Sequence, residues 1–219
     1  DHRLRARRMT AARTFEPTAG VVVAGGVSRR LGEDKRRLRL WGPGGPTLLE
    51  HTLEVLRPLC SELVVVLNDP EAWPHLPARI TPDVYADGGA LGGIYAGLAA
   101  ASTPYALVVA ADMPLLSAEL LGAMLARPRD YDVLAPRAAR ARNALGLEPL
   151  HAVYSRGCLG PLRAALERGV RRVADALAPL RVVTIEAQEL ARHDPRGHAL
   201  LNINTPADLE AARRLIGGA

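Results

Sequence analysis

Lysine is all but missing from this chain: of 28 basic residues only Lys35 is a lysine, and the other 27 are arginines. Aromatic residues make up 4%, with a single Phe. A surface that stacks nucleobases needs aromatics interleaved with its cations, so this poverty argues against a nucleic-acid partner despite a net charge of +5. The two cysteines, Cys60 and Cys158, are too far apart for a metal-ligand motif. Both stand among apolar neighbours, which reads as buried thiols in a reducing compartment and hence a cytoplasmic protein. No His-Glu-x-x-His pair occurs, and no apolar run approaches the roughly 18 residues of a membrane span, so no membrane partner is expected. What remains is ordinary globular material, 48% apolar and 23% charged over 219 residues, with a core built from Leu, Val and Ala.

Residues 1–18 read as an Arg-rich, disordered extension without the apolar stretch of a signal peptide, and Met9 inside it is a candidate start. Residues 19–219 read as a single domain. That domain opens on Gly20 to Lys35, a short apolar run followed at once by a glycine pair and then by small and cationic residues. Val21, Val22 and Val23 are β-branched and suit a strand buried on both faces. Gly25 and Gly26, without Cβ atoms, let the backbone turn and approach a ligand closely. The NH groups so exposed, with Arg29, Arg30 and Lys35 nearby, suit a polyanion such as a triphosphate. The stretch is neither a Walker loop, which needs Gly-Lys-Ser/Thr, nor the dinucleotide G-x-G-x-x-G. An arginine is a planar fork and a lysine a compact point charge, so a pocket that needs a lone ammonium between phosphates explains why this one position escaped the bias.

Further along, Thr47 to Leu59 has the period of an amphipathic helix, and Leu63 to Leu67 is a second buried strand ending at Asn68-Asp69-Pro70. The stretch around Pro74 and Pro77 is expected to be irregular up to Asp83. Ala90 to Ala101 is a small-residue helix, and Tyr105 to Ala111 a strand stopping at Asp112-Met113-Pro114. Ser117 caps the helix after it. Strands at Tyr131 to Ala135, Leu150 to Tyr154 and Val182 to Ile185 alternate with helices at Cys158 to Arg168 and Val173 to Leu180. Residues 136–148 look like a mobile basic loop. Asn202 and Asn204 are placed on a strand, and Thr205-Pro206 opens the last helix. The pattern predicts an α/β three-layer sandwich with a mostly parallel, Rossmann-like sheet, which binds ligands at the carboxyl ends of its strands.

Those ends carry Ala24-Gly25-Gly26, Asn68 and Asp112. Asp112 either binds Mg²⁺, which takes one or two carboxylates plus substrate phosphates, or caps the helix beginning near Leu116. Asp83 either bonds a base edge or ribose hydroxyl or is a turn residue. Asn202 and Asn204, alternating along a strand, point two amides to one face, or else shape a turn before Pro206. The chemistry that fits is transfer from a nucleoside triphosphate without a protein nucleophile, driven by positioning and charge neutralisation.

The motifs Val23-Ala24-Gly25-Gly26-Val27-Ser28-Arg29-Arg30-Leu31-Gly32-Glu33-Asp34-Lys35, Ala111-Asp112-Met113-Pro114, Pro149-Leu150-His151-Ala152-Val153-Tyr154, Gly169-Val170-Arg171-Arg172-Val173 and Asn202-Ile203-Asn204-Thr205-Pro206 occur in this order. In them the chain resembles the molybdenum cofactor guanylyltransferases, the MobA family of glycosyltransferase-A-like (nucleotide-diphospho-sugar transferase type) nucleotidyltransferases, over about residues 19 to 216. The resemblance implies transfer of GMP from GTP to the molybdopterin phosphate with Mg²⁺. It implies further that Val23, Ala24, Gly25, Lys35 and Asp83 hold GTP, to which the reading of the glycine loop as a polyanion site adds Gly26 and Arg30. Asp112 would hold nucleotide and metal, and Asn202 and Asn204 the pterin. Lys35 and Asp112 are then the catalytic pair, and other cofactor-biosynthesis proteins and molybdoenzymes are candidate partners. The family's nucleotide-contacting Asn aligns with Leu67, which leaves Asn68 as its stand-in. Cytidylyl transfer on the same fold is the nearest alternative; the family members that use CTP tend to have Ala-Ala-Gly where this chain has Ala24-Gly25-Gly26. Another small-molecule nucleotidyltransferase and a non-catalytic nucleotide or cofactor carrier stand behind it.

Overall fold

The computed structural model describes residues 16–25, 32–85, 87–138 and 145–218. Seven strands form one sheet: β1 Thr18–Val23, β2 Glu62–Val66, β3 Arg79–Thr81, β4 Tyr105–Ala110, β5 Val133–Pro136, β6 His151–Ser155 and β7 Val182–Ile185. Their spatial order is β3-β2-β1-β4-β6-β5-β7. Every pairing is parallel except those of β6, which runs antiparallel to both β4 and β5. The helices are α1 Leu48–Leu56, α2 Gly89–Ala100, α3 Ala118–Leu125, α4 Leu159–Glu167, α5 Val173–Leu177, α6 Ala187–His193 and α7 Pro206–Gly217. None among the described residues is long and apolar enough to cross a membrane.

The central strands bury both faces, and their side chains divide alternately between two cores. Val21, Val108 and Tyr154 pack with α2, α4 and α5 on one side. Val22, Leu107 and Val153 pack with α1 and α3 on the other. This is the expected three-layer α/β sandwich. A third, smaller core of Leu38, Leu48, Ile203, Leu209 and Ala212 seats α7 beside α1.

Three segments depart from the sequence expectation. β3 lies in the stretch read as irregular; it is a three-residue, partly exposed edge strand with no apolar run to announce it. α6 was not expected because none of its residues is fully buried, so it carries no apolar stripe. The strand expected at Asn202 and Asn204 does not form, since residues 200–204 join no ladder and only the Ile203 N–H bonds the Asp112 carbonyl, at 2.9 Å. Elsewhere the caps fall where expected: Ser117 Oγ accepts the Leu120 N–H, and Thr205 with Asp208 forms a capping box on α7.

Two buried features have measurable consequences. Gly93 and Gly97 share one face of α2, and a Cβ added at Gly97 would lie 2.2 Å from Cγ1 of Val21 on β1. Val66 Cγ2 stands 3.3 Å from the same point, and Val21, at 0% exposure in a filled core, has little room to turn away. Gly97→Ala is therefore expected to destabilise the fold by about 3 kcal/mol, read as a lowered urea midpoint with an unchanged slope.

His151 on β6 is fully buried, and neither ring nitrogen has a hydrogen-bond partner. Burial pushes its pKa down from 6.5 to about 4, against the smaller opposing pull of Asp194. The unfolded chain then takes up a proton at this residue near pH 6.5 that the folded chain refuses until pH 4. Its contribution is thus complete above pH 6.5 and lost as pH falls towards 4, by on the order of 3 kcal/mol. Urea titrations across that window should show His151→Leu losing correspondingly less stability than the parent chain. Equal losses would place the acid sensitivity elsewhere.

Candidate active site

The parallel strands β1, β2 and β4 end together, and at their carboxyl ends opens a cleft of about 370 Å³. Val23, Ala24 and Gly25 line it from β1, Asn68 from the turn after β2, and Ala110, Ala111 and Asp112 from β4. The Ala24 N–H bonds the Val66 carbonyl at 2.9 Å, and the Ala111 N–H bonds the Val23 carbonyl at 3.0 Å, so the strand ends are held in register up to the cleft. Gly25 has no positive φ, and a Cβ added to it would meet nothing within 4 Å. Close approach of a ligand, rather than a tight turn, is what its missing side chain permits. Gly26 and Arg30 lie outside the described residues.

Lys35 opens a short 3-10 turn, Lys35–Arg37, and its side chain lines the cleft. Nζ donates to Oδ2 of Asp112 at 3.1 Å and to Oδ1 of Asn204 at 2.9 Å. Residues 77 and 169 positions away in sequence thus meet at one cation. Asn204 is itself held by the α7 capping box, where Asp208 accepts its N–H at 3.0 Å. Burial alone would raise Asp208, but hydrogen bonds from Thr205 and the Asn204 N–H, with Lys35 nearby, hold its carboxyl below the usual range.

Asp83 stands at the α2 side of the cleft, its carboxylate seated where a Cβ of Gly92 would be, 2.8 Å from Oδ1. Burial raises its pKa, against the Tyr85 N–H that it accepts. Asn68 Oδ1 accepts the Asp83 N–H at 2.8 Å, so this side chain braces the Asp83 turn. Leu67, by contrast, is fully buried in the core and cannot reach a ligand. Asn202 does not line the cleft, and its Oδ1 is buried without a hydrogen-bond partner.

Sequence reasoning did not single out Glu148 or Arg36, and it noted Leu150 and Asp69 only as parts of longer motifs. Leu150 lines the cleft and Glu148 lies beside Asp112, because β6 is inverted and brings its amino end to the edge where the parallel strands bring their carboxyl ends. Glu148 is pushed up mainly by burial, with the Asp112 charge adding to the effect and hydrogen bonds from Leu150 and Asn202 opposing it. Arg36 also lines the cleft, and its guanidinium grips Asp69, whose side chain follows the end of β2. The hydrogen bonds and charge of Arg36 hold Asp34 and Asp69 below the usual carboxylate range, and the two carboxylates raise the arginine in turn. The composite is a cleft lined by the Lys35 ammonium, the carboxylates of Asp112 and Asp83 and a backbone edge, a set of groups chemically suited to a phosphate-bearing ligand.

Comparison with known proteins finds relatives along most of the chain. The model of the MobA-like NTP transferase domain matches residues 20–182. A protein of Chloroflexus aggregans named probable molybdenum cofactor guanylyltransferase is 47% identical over 199 residues, 91% of this chain and 95% of its own. One of Pelotomaculum thermopropionicum with the same name is 35% identical and matches 89% of this chain and 91% of its own. Among solved structures, molybdopterin-guanine dinucleotide biosynthesis protein A from Archaeoglobus fulgidus superposes with a TM-score of 0.77 at 28% identity, covering 92% of this chain and 100% of that one.

Proposed function

The chain belongs to the MobA-like NTP transferase family, and on that footing we propose that it transfers GMP from GTP to the phosphate of molybdopterin or its molybdenum complex. The products are the guanine dinucleotide form of the cofactor and pyrophosphate. The observation that carries this reading is the convergence of the Lys35 ammonium on Asp112 and Asn204 at the ends of β1 and β4.

In the reaction an oxygen of the acceptor phosphate attacks the α-phosphorus of GTP. A new P–O bond forms there, and the bond from that phosphorus to the bridging oxygen breaks, pyrophosphate leaving with the electron pair. Such a step asks the protein for alignment and for positive charge where negative charge accumulates. Lys35 supplies that charge from the lining of the cleft. Val23, Ala24 and Gly25 present the backbone edge along which the triphosphate lies, and Gly26 and Arg30, outside the described residues, keep the nucleotide-binding role the sequence suggests for them. Asp83, braced by Asn68, takes the base or ribose side. Asn204, which accepts from Lys35, stands on the acceptor side, and Asn202 precedes it on the same segment.

Asp112 is the residue that would hold Mg²⁺. Among the described residues no group of three or more His, Cys, Asp or Glu is placed to hold a metal, so these residues form no closed cage. A single carboxylate, its side chain 26% exposed in a polyphosphate-shaped cleft, suits an ion that fills its octahedron with water and phosphate oxygens. When bound, Mg²⁺ supplies charge neutralisation on the triphosphate.

The test is pyrophosphate release by the full chain with molybdopterin, Mg²⁺ and either GTP or CTP. Release with GTP is expected. Release with CTP alone would overturn the base assignment, and release with neither would overturn the transferase reading.

A further inference from the structure

We propose that Arg36 is the positioning residue that sets Lys35 in the cleft, acting as a five-point clamp and not as a phosphate ligand. A guanidinium carries five N–H donors in one plane. Here every one has an acceptor: Nε donates to Asp34 Oδ1 at 2.9 Å and Nη2 to Asp34 Oδ2 at 2.8 Å. The opposite edge forks onto Asp69, at 2.6 Å and 2.7 Å, and Nη1 also approaches the Ala24 carbonyl at 3.4 Å. No donor is left over for a phosphate, although the side chain lines the cleft.

The clamp joins three backbone segments that the proposed reaction needs in register: the end of β1 at Ala24, the turn that begins at Asp34, and the end of β2 at Asp69. Lys35 sits between two of the clamped residues, Asp34 and Arg36, in a turn of only three residues. The Asp34 carboxylate also caps this turn by accepting the Arg36 N–H at 3.0 Å. Trp73 backs the arrangement, with its ring 5.6 Å from the Arg36 guanidinium carbon and 4.5 Å from that of Arg37. Two bidentate pairs on one planar cation fix its orientation as well as its position, which an ammonium with three donors on a flexible stem cannot do. Lys35 therefore enters the cleft from a base that is already rigid, and its ordering entropy is spent in folding rather than in binding nucleotide.

The proposal rests on the reaction proposed above for its effect on nucleotide, but its structural core has an independent readout. Because Lys35 is the only lysine, isotope-labelled lysine gives one side-chain signal from the full chain. In Arg36→Gln and in Asp69→Asn, that signal is expected to move to the shift and exchange rate of a free lysine while the backbone spectrum stays native-like. A Lys35 signal unchanged in both folded variants overturns the clamp.

Binding of Mg²⁺-GTP is the second arm. Arg36→Gln and Arg36→Lys should each weaken it about 10-fold, the lysine variant giving no rescue, and neither should weaken it further in a Lys35→Ala background. Full rescue by lysine, or losses that multiply in the double variants, overturns action through Lys35. If the parent chain binds no GTP, the proposed function has failed instead, and the lysine signal still decides the clamp.

Discussion

Lys35→Ala is expected to lower kcat/KM for GTP by about a thousandfold, equivalent to about 4 kcal/mol of transition-state stabilisation, while leaving the folded state in place. The asymmetry between activity and stability follows from where the side chain stands. Lys35 belongs to none of the three apolar cores, and its side chain is 16% exposed at the floor of an open cleft. Its contacts with Asp112 and Asn204 are those of a partly solvated ion pair, which contributes little to folding. In the proposed reaction the same ammonium meets charge that grows as the leaving pyrophosphate separates, and such differential interactions raise kcat. Lys35→Arg should rescue little, because the guanidinium is broader and directs its donors in one plane. A chain otherwise rich in arginine retains a lysine here, which is the composition that such a requirement produces. Steady-state pyrophosphate release, beside a urea melt of each variant, measures both sides of the expectation. An alanine variant that turns over within a few fold of the parent would remove Lys35 from the chemistry.

How far the site could be read from sequence depended on whether each residue's role was local. Val21 to Val23 were legible as a buried strand because β-branched side chains in a run leave few alternatives, and the same holds for Tyr105 to Ala111. Asp112 and Lys35 were legible because each ends or follows such a strand at a break in the apolar pattern. Arg36 was not, since nothing in the letters beside it tells that its fork closes on Asp69, 33 positions away. Glu148 was not legible, and Leu150 only as part of a motif, for a topological reason: strand alternation suggests parallel neighbours, whereas β6 is inverted and delivers its amino end to the cleft. Asn202 and Asn204 show the intermediate case. Their spacing implied two amides on one face of a strand, but no strand forms; the segment is tied to Asp112 through the Ile203 N–H and to the α7 cap, and only Asn204 reaches the cleft. Asn68 took its place at the end of β2 but turned out to spend its carbonyl oxygen on the Asp83 N–H, which makes it a brace for the residue it was grouped with.

Asp112→Asn probes the other half of the central pair, and its expected signature is a change in metal dependence as much as in rate. Asparagine is nearly isosteric and keeps an oxygen for Lys35, and the backbone bond from Ile203 to the Asp112 carbonyl does not involve the side chain. The substitution therefore removes one negative charge with little rearrangement. If that charge serves to hold Mg²⁺, activity should fall by about a thousandfold at a Mg²⁺ concentration that saturates the parent, and a large excess of the ion should recover part of the loss. Binding of GTP without metal should move the opposite way, unchanged or tighter, because a carboxylate facing a triphosphate is repulsive and its loss frees the Lys35 ammonium for the nucleotide. A merely structural role predicts neither the split between the two conditions nor its sign. Isothermal titration of GTP with and without Mg²⁺, alongside the Mg²⁺ saturation curve for pyrophosphate release, separates the cases. A variant that keeps the parent's saturation curve would show that the ion, wherever it sits, is not held by Asp112, and the carboxylate would then be left with the single task of orienting Lys35.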